Sequence, residues 1–214
     1  MIAIFIICLA LLLLELPVYY FSLNHDLLGK KFGNEKGRSI GDRLGRISGW
    51  GFFLFWFGLW VTPQPPVPVS LGGWDVSFLY FHTNWLFIII GVPLFTLSCW
   101  IGIKSVNETS LKTAETHRAD KVITTGFYGR MRHPQYLAGL IAHIAFSVAL
   151  SSFLSLIFFP LAVVVVWFFA HWEEQGLIRE FGDTYREYMK RVSMFLPLKR
   201  KHTSGVHYQQ GDRS

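Results

Sequence analysis

Residues 120–136 read Asp120-Lys-Val-Ile-Thr-Thr-Gly-Phe-Tyr128-Gly-Arg-Met-Arg132-His133-Pro134-Gln-Tyr136, and two apolar segments later the chain reads His171-Trp-Glu173-Glu174. The path between these stretches decides the fold. Pro134 suits the first position of a helix, where its missing N–H would be unpaired anyway. Pro134 to Leu150 is apolar, roughly 25 Å of helix at 1.5 Å per residue. Ser151 and Ser152 interrupt it, and Phe153 to Ala170 is apolar again. Each arm is about long enough to cross a hydrocarbon core, the first only just. A hairpin of two such arms returns its ends to one membrane face. Arg132, His133 and Tyr136 are therefore expected beside Glu173 and Glu174.

The rest of the 214 residues agree with a membrane setting: 51% are hydrophobic and only 16% charged. Several apolar runs of spanning length point to an all-α, polytopic transmembrane bundle of about five spans. Met1 to about Leu23 reads as the first span and as a retained anchor, since no basic segment precedes it and no small-residue cleavage pattern follows. Glu15 lies late in that span, and Tyr19 and Tyr20 read as interface residues. Asn24 to Arg46 carries Lys30, Lys31, Lys36, Arg38, Arg43 and Arg46 among five glycines, which predicts a polar loop. Ile47 to Val61 is the second span. Thr62 to Val69, rich in proline, is expected extended. Ser77 to Ile103 is the third span, with Pro93 as a kink.

Beyond the hairpin, Leu177, Ile178, Phe181, Tyr185 and Tyr188 recur at intervals of three and four. That pattern predicts an amphipathic interfacial helix over Glu173 to Val192, broken at Gly182. Three regions follow: a three-span N-terminal part (1–112), the hairpin with its flanks (113–197), and a basic tail (198–214), expected disordered.

Charge sets the expected topology. Lys and Arg gather in 24–46, 104–133 and the C-terminal region, while 62–76 and 151–152 carry none. This favours an N-terminus outside and a C-terminus and site in the cytoplasm. The same rule accounts for the net charge of +6, so nucleic-acid binding is not implied. Cys8 and Cys99 lie in apolar runs and form no metal-ligand pattern.

At the hairpin mouth, His133 at a helix start favours an anion, and Arg132 is a permanent cation. Glu173 and Glu174 are adjacent and point about 100° apart on a helix. One is expected to bind a ligand, the other to orient or pair with a cation. Tyr128 and Tyr136 offer ring faces to a cation or an adenine. Such a set suits a zwitterionic, aromatic ligand. Snorkelling charges pairing across the hairpin are the competing explanation.

Two motifs, Ile123-Thr-Thr-Gly-Phe-Tyr128…Arg132-His133-Pro134-Gln-Tyr136 and Glu173-Glu174-x-x-Leu177-x-x-x-Phe181-Gly182-x-x-Tyr185-x-x-Tyr188-x-x-x-Val192…Pro197, occur in order. Together they resemble the isoprenylcysteine carboxyl methyltransferase family and its phospholipid and thiol methyltransferase relatives, over about Thr113 to Pro197. The resemblance implies S-adenosyl-L-methionine as cofactor. It implies Asp120, Lys121, Val122 and Ile123 as the cofactor-lining stretch and Tyr128, His133, Pro134 and Tyr136 as contacts. It assigns the cofactor's amino group to Glu173. Isoprenylcysteine enzymes meet the substrate carboxylate with an arginine four residues before that glutamate; here the position is Phe169, a departure. Arg132, Glu174 and His171 are the candidate catalytic set, with His143 a further polar group within the hairpin. The implied acceptor is lipophilic or small, reaching the site from the lipid bilayer. Sterol reductases, which bind NADPH, carry a similar Arg-His-Pro-x-Tyr-Leu segment. They usually have Asn at the position of Gln135 and Gly at that of Ala138, and they lack the Glu-Glu helix. A non-catalytic membrane scaffold would need no clustered site.

Overall fold

The computed structural model describes residues 2–70, 72–110 and 121–197. Asp120, the segment before it and the tail from 198 lie outside these residues. The described chain folds as α1 (Ile2–Ser22), α2 (His25–Phe32), α3 (Asn34–Val61), β1 (Asp75–Phe78), β2 (Phe81–Asn84), α4 (Trp85–Thr109), α5 (Pro134–Ala149), α6 (Phe153–Phe181) and α7 (Asp183–Arg191). Among the described residues, α1, α3, α4 and α6 are long and apolar enough to cross a membrane. The chain is thus a helical integral membrane bundle. Its outward surface carries large apolar side chains such as Ile6, Phe53, Ile89 and Ile157, as expected where lipid replaces water.

The expected fourth span is the helix α5, but at 16 residues it falls short of the roughly 20 that a full crossing takes. Pro134 starts it, and the chain turns at Ser151, whose φ is 54°. Phe153 then opens α6. Ser152 N–H donates to Ser147 O at 2.7 Å, closing the turn.

α5 packs most extensively on α4. The approach is close because Gly91 has no Cβ: one built there would stand 2.6 Å from Ala149 Cβ and 2.7 Å from Ala145 O. Ser98 adds a bond from its hydroxyl to Ala138 O at 2.7 Å. The main core joins α1, α3, α5 and α6 through Leu12, Trp56, Leu59, Leu140, Phe158 and Val166. Within it sits His143, fully buried. Its Nδ1 accepts from the indole N–H of Trp56 at 2.6 Å and of Trp60 at 2.8 Å. Its Nε2 therefore carries the proton and donates to Ser155 O at 2.9 Å. This histidine is a neutral pin between α3, α5 and α6, not a group at the hairpin mouth. His143→Leu is expected to cost about 1–3 kcal/mol for each indole N–H left unpaired, read as a lower midpoint in thermal unfolding of the detergent-purified protein.

Four local expectations are corrected. Residues 24–46 are helical, not a polar loop: α2 ends at Gly33, whose φ is 86°, and α3 begins immediately after it. The glycines serve close approach instead of looseness. Gly37, Gly41 and Gly45 lie on the buried face of α3, and a Cβ at Gly37 would meet the backbone of Leu28 and Gly29 at 2.6 Å. Small residues four apart let helix backbones touch. Gly37→Val is accordingly expected to lose about 1–3 kcal/mol through overpacking, again as a lowered unfolding midpoint.

The third span starts at Trp85, not Ser77. The preceding residues form an antiparallel hairpin pairing Asp75 with Asn84 and Phe78 with Phe81. Asn84 ends the strand and caps α4, its side chain accepting from Phe87 N–H at 2.9 Å. Proline-rich 62–70 is extended as expected, and Val67 N–H donates to Ser151 O at 3.0 Å. Next, α6 runs unbroken from the span through Glu173 and Glu174 to Phe181. Only α7, after Gly182 with its φ of 56°, is a separate helix. Last, Tyr19 is not an interface residue: it is buried against Phe169 at 4.2 Å between ring centres, whereas Tyr20 is exposed.

Candidate functional site

His133 is the residue before α5, and Glu173 and Glu174 sit two turns before the end of α6. The hairpin brings them into contact. Glu174 Oε1 accepts from Arg132 Nε at 2.6 Å and lies 3.0 Å from His133 Nε2. Glu173 Oε2 is 3.7 Å from His133 Nδ1. One imidazole thus spans the two carboxylates, which point apart as consecutive helical residues must.

The two glutamates are unequal. The Glu174 side chain is 3% exposed and committed to Arg132 and His133, while that of Glu173 is 23% exposed. Arg132 is equally enclosed. Besides Glu174, it donates from Nη1 to Val192 O at 2.6 Å and to Met189 O at 3.2 Å. Those carbonyls belong to the end of α7 and the residue just after it. Arg132 N–H and His133 N–H donate to Ser193 O and Met194 O, at 2.9 and 3.0 Å. The C-terminal segment is therefore strapped across the mouth of the hairpin. Tyr188 adds a bond from its hydroxyl to Tyr128 O at 2.6 Å. Burial pushes the hydroxyls of Tyr188 and Tyr128 above the ordinary tyrosine range, so the strap keeps its donor through neutral pH.

Tyr136 lies in the first turn of α5. Its ring stacks on His133 at 5.4 Å, and its hydroxyl interacts with Glu173. That hydroxyl also shares a 2.7 Å hydrogen bond with the Tyr19 hydroxyl of α1. Sequence reasoning missed Tyr19 as part of this cluster. No motif in α1 announces it, and only the packing of α1 on α6 brings it there. Phe169 lies beside it, with Phe52 at 4.8 Å, so this wall is aromatic and uncharged.

The loop 121–132 is held by a second missed residue. Glu108, at the end of α4, accepts from Phe127 N–H with both carboxylate oxygens, at 3.2 and 3.0 Å. Gly126, with φ of 58°, admits that carboxylate because it lacks a Cβ. Gln135 Nε2 donates to Tyr128 Oη at 3.0 Å. Val122 packs on the cluster of Tyr185, Tyr188 and Val192. Ile123 is half-buried and Lys121 exposed. Pro134 is buried at the helix start. His171 stacks on Trp167 at 5.3 Å, nearly parallel, rather than on a member of the cluster.

The arrangement offers one carboxylate not closely bonded to a cation, Glu173, beside two tyrosine rings and the start of a helix. That donor set fits a ligand bearing an ammonium, an anionic group and an aromatic ring.

Comparison with known proteins bears on the same segment. Residues 86–184 match the phospholipid methyltransferase family. Protein-S-isoprenylcysteine O-methyltransferase of Schizosaccharomyces pombe is 36% identical over 81 residues, covering 36% of this chain and 33% of that protein. Methanethiol S-methyltransferase 1 of Bradyrhizobium diazoefficiens is 32% identical over 147 residues, covering 66% and 46%. Protein-S-isoprenylcysteine O-methyltransferase of Dictyostelium discoideum is 28% identical over 183 residues, covering 71% and 75%. The chain thus spans a third to just under half of the length of the first two. No solved structure matches. The family match runs from the start of α4, through the Arg132–His133–Pro134 entrance and the glutamate pair, to the start of α7; over that segment, just under half of the chain, the sequence is similar to the phospholipid methyltransferase family and to the named isoprenylcysteine methyltransferases.

Proposed function

We propose that this protein is a membrane methyltransferase that uses S-adenosyl-L-methionine and methylates a lipophilic or small acceptor (a carboxylate, thiol or amine) at the cytoplasmic membrane face. The observation that carries the reading is the convergence of His133, Glu173 and Tyr136 at the mouth of the α5–α6 hairpin, inside the segment shared with named methyltransferases. Those relatives do not favour a reductase or a scaffold.

In this reading the cofactor, when bound, supplies a methyl carbon already activated by its sulfonium. The protein's part is alignment of acceptor, carbon and leaving sulfur. Glu173 takes the amino group, and His133 with the free N–H groups of the α5 start takes the carboxylate. Tyr128 and Tyr136 give ring faces, with Val122, Ile123 and Pro134 as apolar lining and Lys121 at the rim; Asp120, the remaining residue of the cofactor stretch, lies outside the described residues. Arg132 and Glu174 act as positioning residues: their mutual bond holds His133 and the C-terminal strap. His171, stacked on Trp167, takes no part. A thiol or acid acceptor must be ionised and an amine neutral. The apolar flanks of α5 and α6 give a lipid-soluble acceptor a route from the bilayer.

The test is methyl transfer from labelled cofactor by detergent-purified protein, against membrane lipid extract and small thiols. Thermal stabilisation by S-adenosylhomocysteine and by NADPH is measured alongside. Stabilisation by NADPH alone would replace this reading with the reductase.

A further inference from the structure

We propose that a cleft at the end of α1, on the same face as the hairpin mouth, binds the headgroup phosphate of an anionic phospholipid. The cleft holds about 570 Å³ and is lined by Asn24, Leu27, Lys30, Lys31 and Arg179. Lys30 and Lys31 come from the last turn of α2 and Arg179 from the last turn of α6. Three cations from two distant parts of the chain thus meet in one concavity, and among the described lining residues none is acidic. Converging like charges repel unless a counter-anion is present.

The position selects the anion. α1 and α6 both have the length and apolarity of a membrane span, and both end at this cleft, which puts it at headgroup depth. Leu27 and Phe32 are exposed beside the lysines, and Lys31 Nζ stands 5.5 Å from the Phe32 ring. An apolar rim around cations fits a phosphate whose acyl chains leave along the helices. Lysines in the last turn of α2 also complement that helix's own dipole. That explanation covers Lys30 and Lys31 but not the arrival of Arg179, which donates from Nη2 to Leu23 O at 3.3 Å and so closes the cleft from the other side. The inference is independent of methyl transfer.

The test is binding of dioleoyl phosphatidylglycerol, dioleoyl phosphatidylcholine and inorganic phosphate to the full chain in neutral detergent, followed by native mass spectrometry and thermal shift at two salt concentrations. The expected result is preferential, salt-sensitive binding of phosphatidylglycerol. Removing each cation should weaken it roughly fivefold, hence roughly a hundredfold in Lys30→Gln/Lys31→Gln/Arg179→Gln. The double variant Lys30→Gln/Lys31→Gln keeps the Arg179–Leu23 bond, so its loss of binding reports the cleft and not misfolding. Equal binding of the two lipids would overturn the proposal. So would undiminished phosphatidylglycerol binding in the double variant, which would move the lipid to another basic segment, or phosphate binding as tightly as the lipid.

Discussion

Glu174→Ala is expected to destabilise the protein by about 3–5 kcal/mol, the cost of stripping one partner from a buried ion pair. The loss falls on Arg132, whose Nε would face no carboxylate while its Nη1 remains tied to Val192 and Met189. The strap over residues 189–194 would loosen with it, because the same arginine holds both. Thermal unfolding of the purified protein, with limited proteolysis after Tyr188, reads the two consequences separately. Glu174→Gln retains an oxygen acceptor and should lose less. A Glu174→Ala protein that unfolds with the parent would show that the pair does not hold the strap.

Glu173→Ala should behave in the opposite way. Glu173 stands 3.7 Å from His133 Nδ1 and is partly open, so the fold should survive nearly unchanged. Binding of S-adenosylhomocysteine should fall roughly ten- to a hundredfold, the worth of a hydrogen bond to a charged group, about 1.5–3 kcal/mol. Calorimetric titration reads this directly. Unchanged affinity would remove Glu173 from the cofactor site. If Glu173→Ala lost stability and Glu174→Ala lost only binding, the two adjacent carboxylates would have exchanged the roles assigned here.

The hairpin was legible because its signals are local. Pro134 marks a helix start, the Ser151–Ser152 pair a turn, and Gly182 a break, and each is where the chain bends. Arm lengths then bring His133 to Glu174 by arithmetic. Glycine was the misleading residue. Gly29, Gly33, Gly37, Gly41 and Gly45 suggest a loop on propensity, yet of these Gly33 ends a helix while Gly37, Gly41 and Gly45 lie buried along one. Propensity measures what an isolated segment prefers, and in a bundle the gain from close backbone packing outweighs it. Tyr19 was misread for a related reason: a tyrosine near a helix end is ordinary at an interface, and its burial depends on which face α1 turns to Phe169.

Taken alone, the order of residues determined that this chain lives in a membrane, that its fourth and fifth apolar segments double back, and that a histidine and a glutamate pair share one end. These follow from hydrophobic length and from proline and serine punctuation, which act over neighbouring residues. Tertiary structure alone assigned Glu174 to Arg132 and left Glu173 open, set Tyr19 against Tyr136, and gathered Lys30, Lys31 and Arg179 around one cleft. Those outcomes turn on helix rotation and on approach distances between segments far apart in the chain, where a single Cβ at Gly37 or Gly91 is enough to change what touches what.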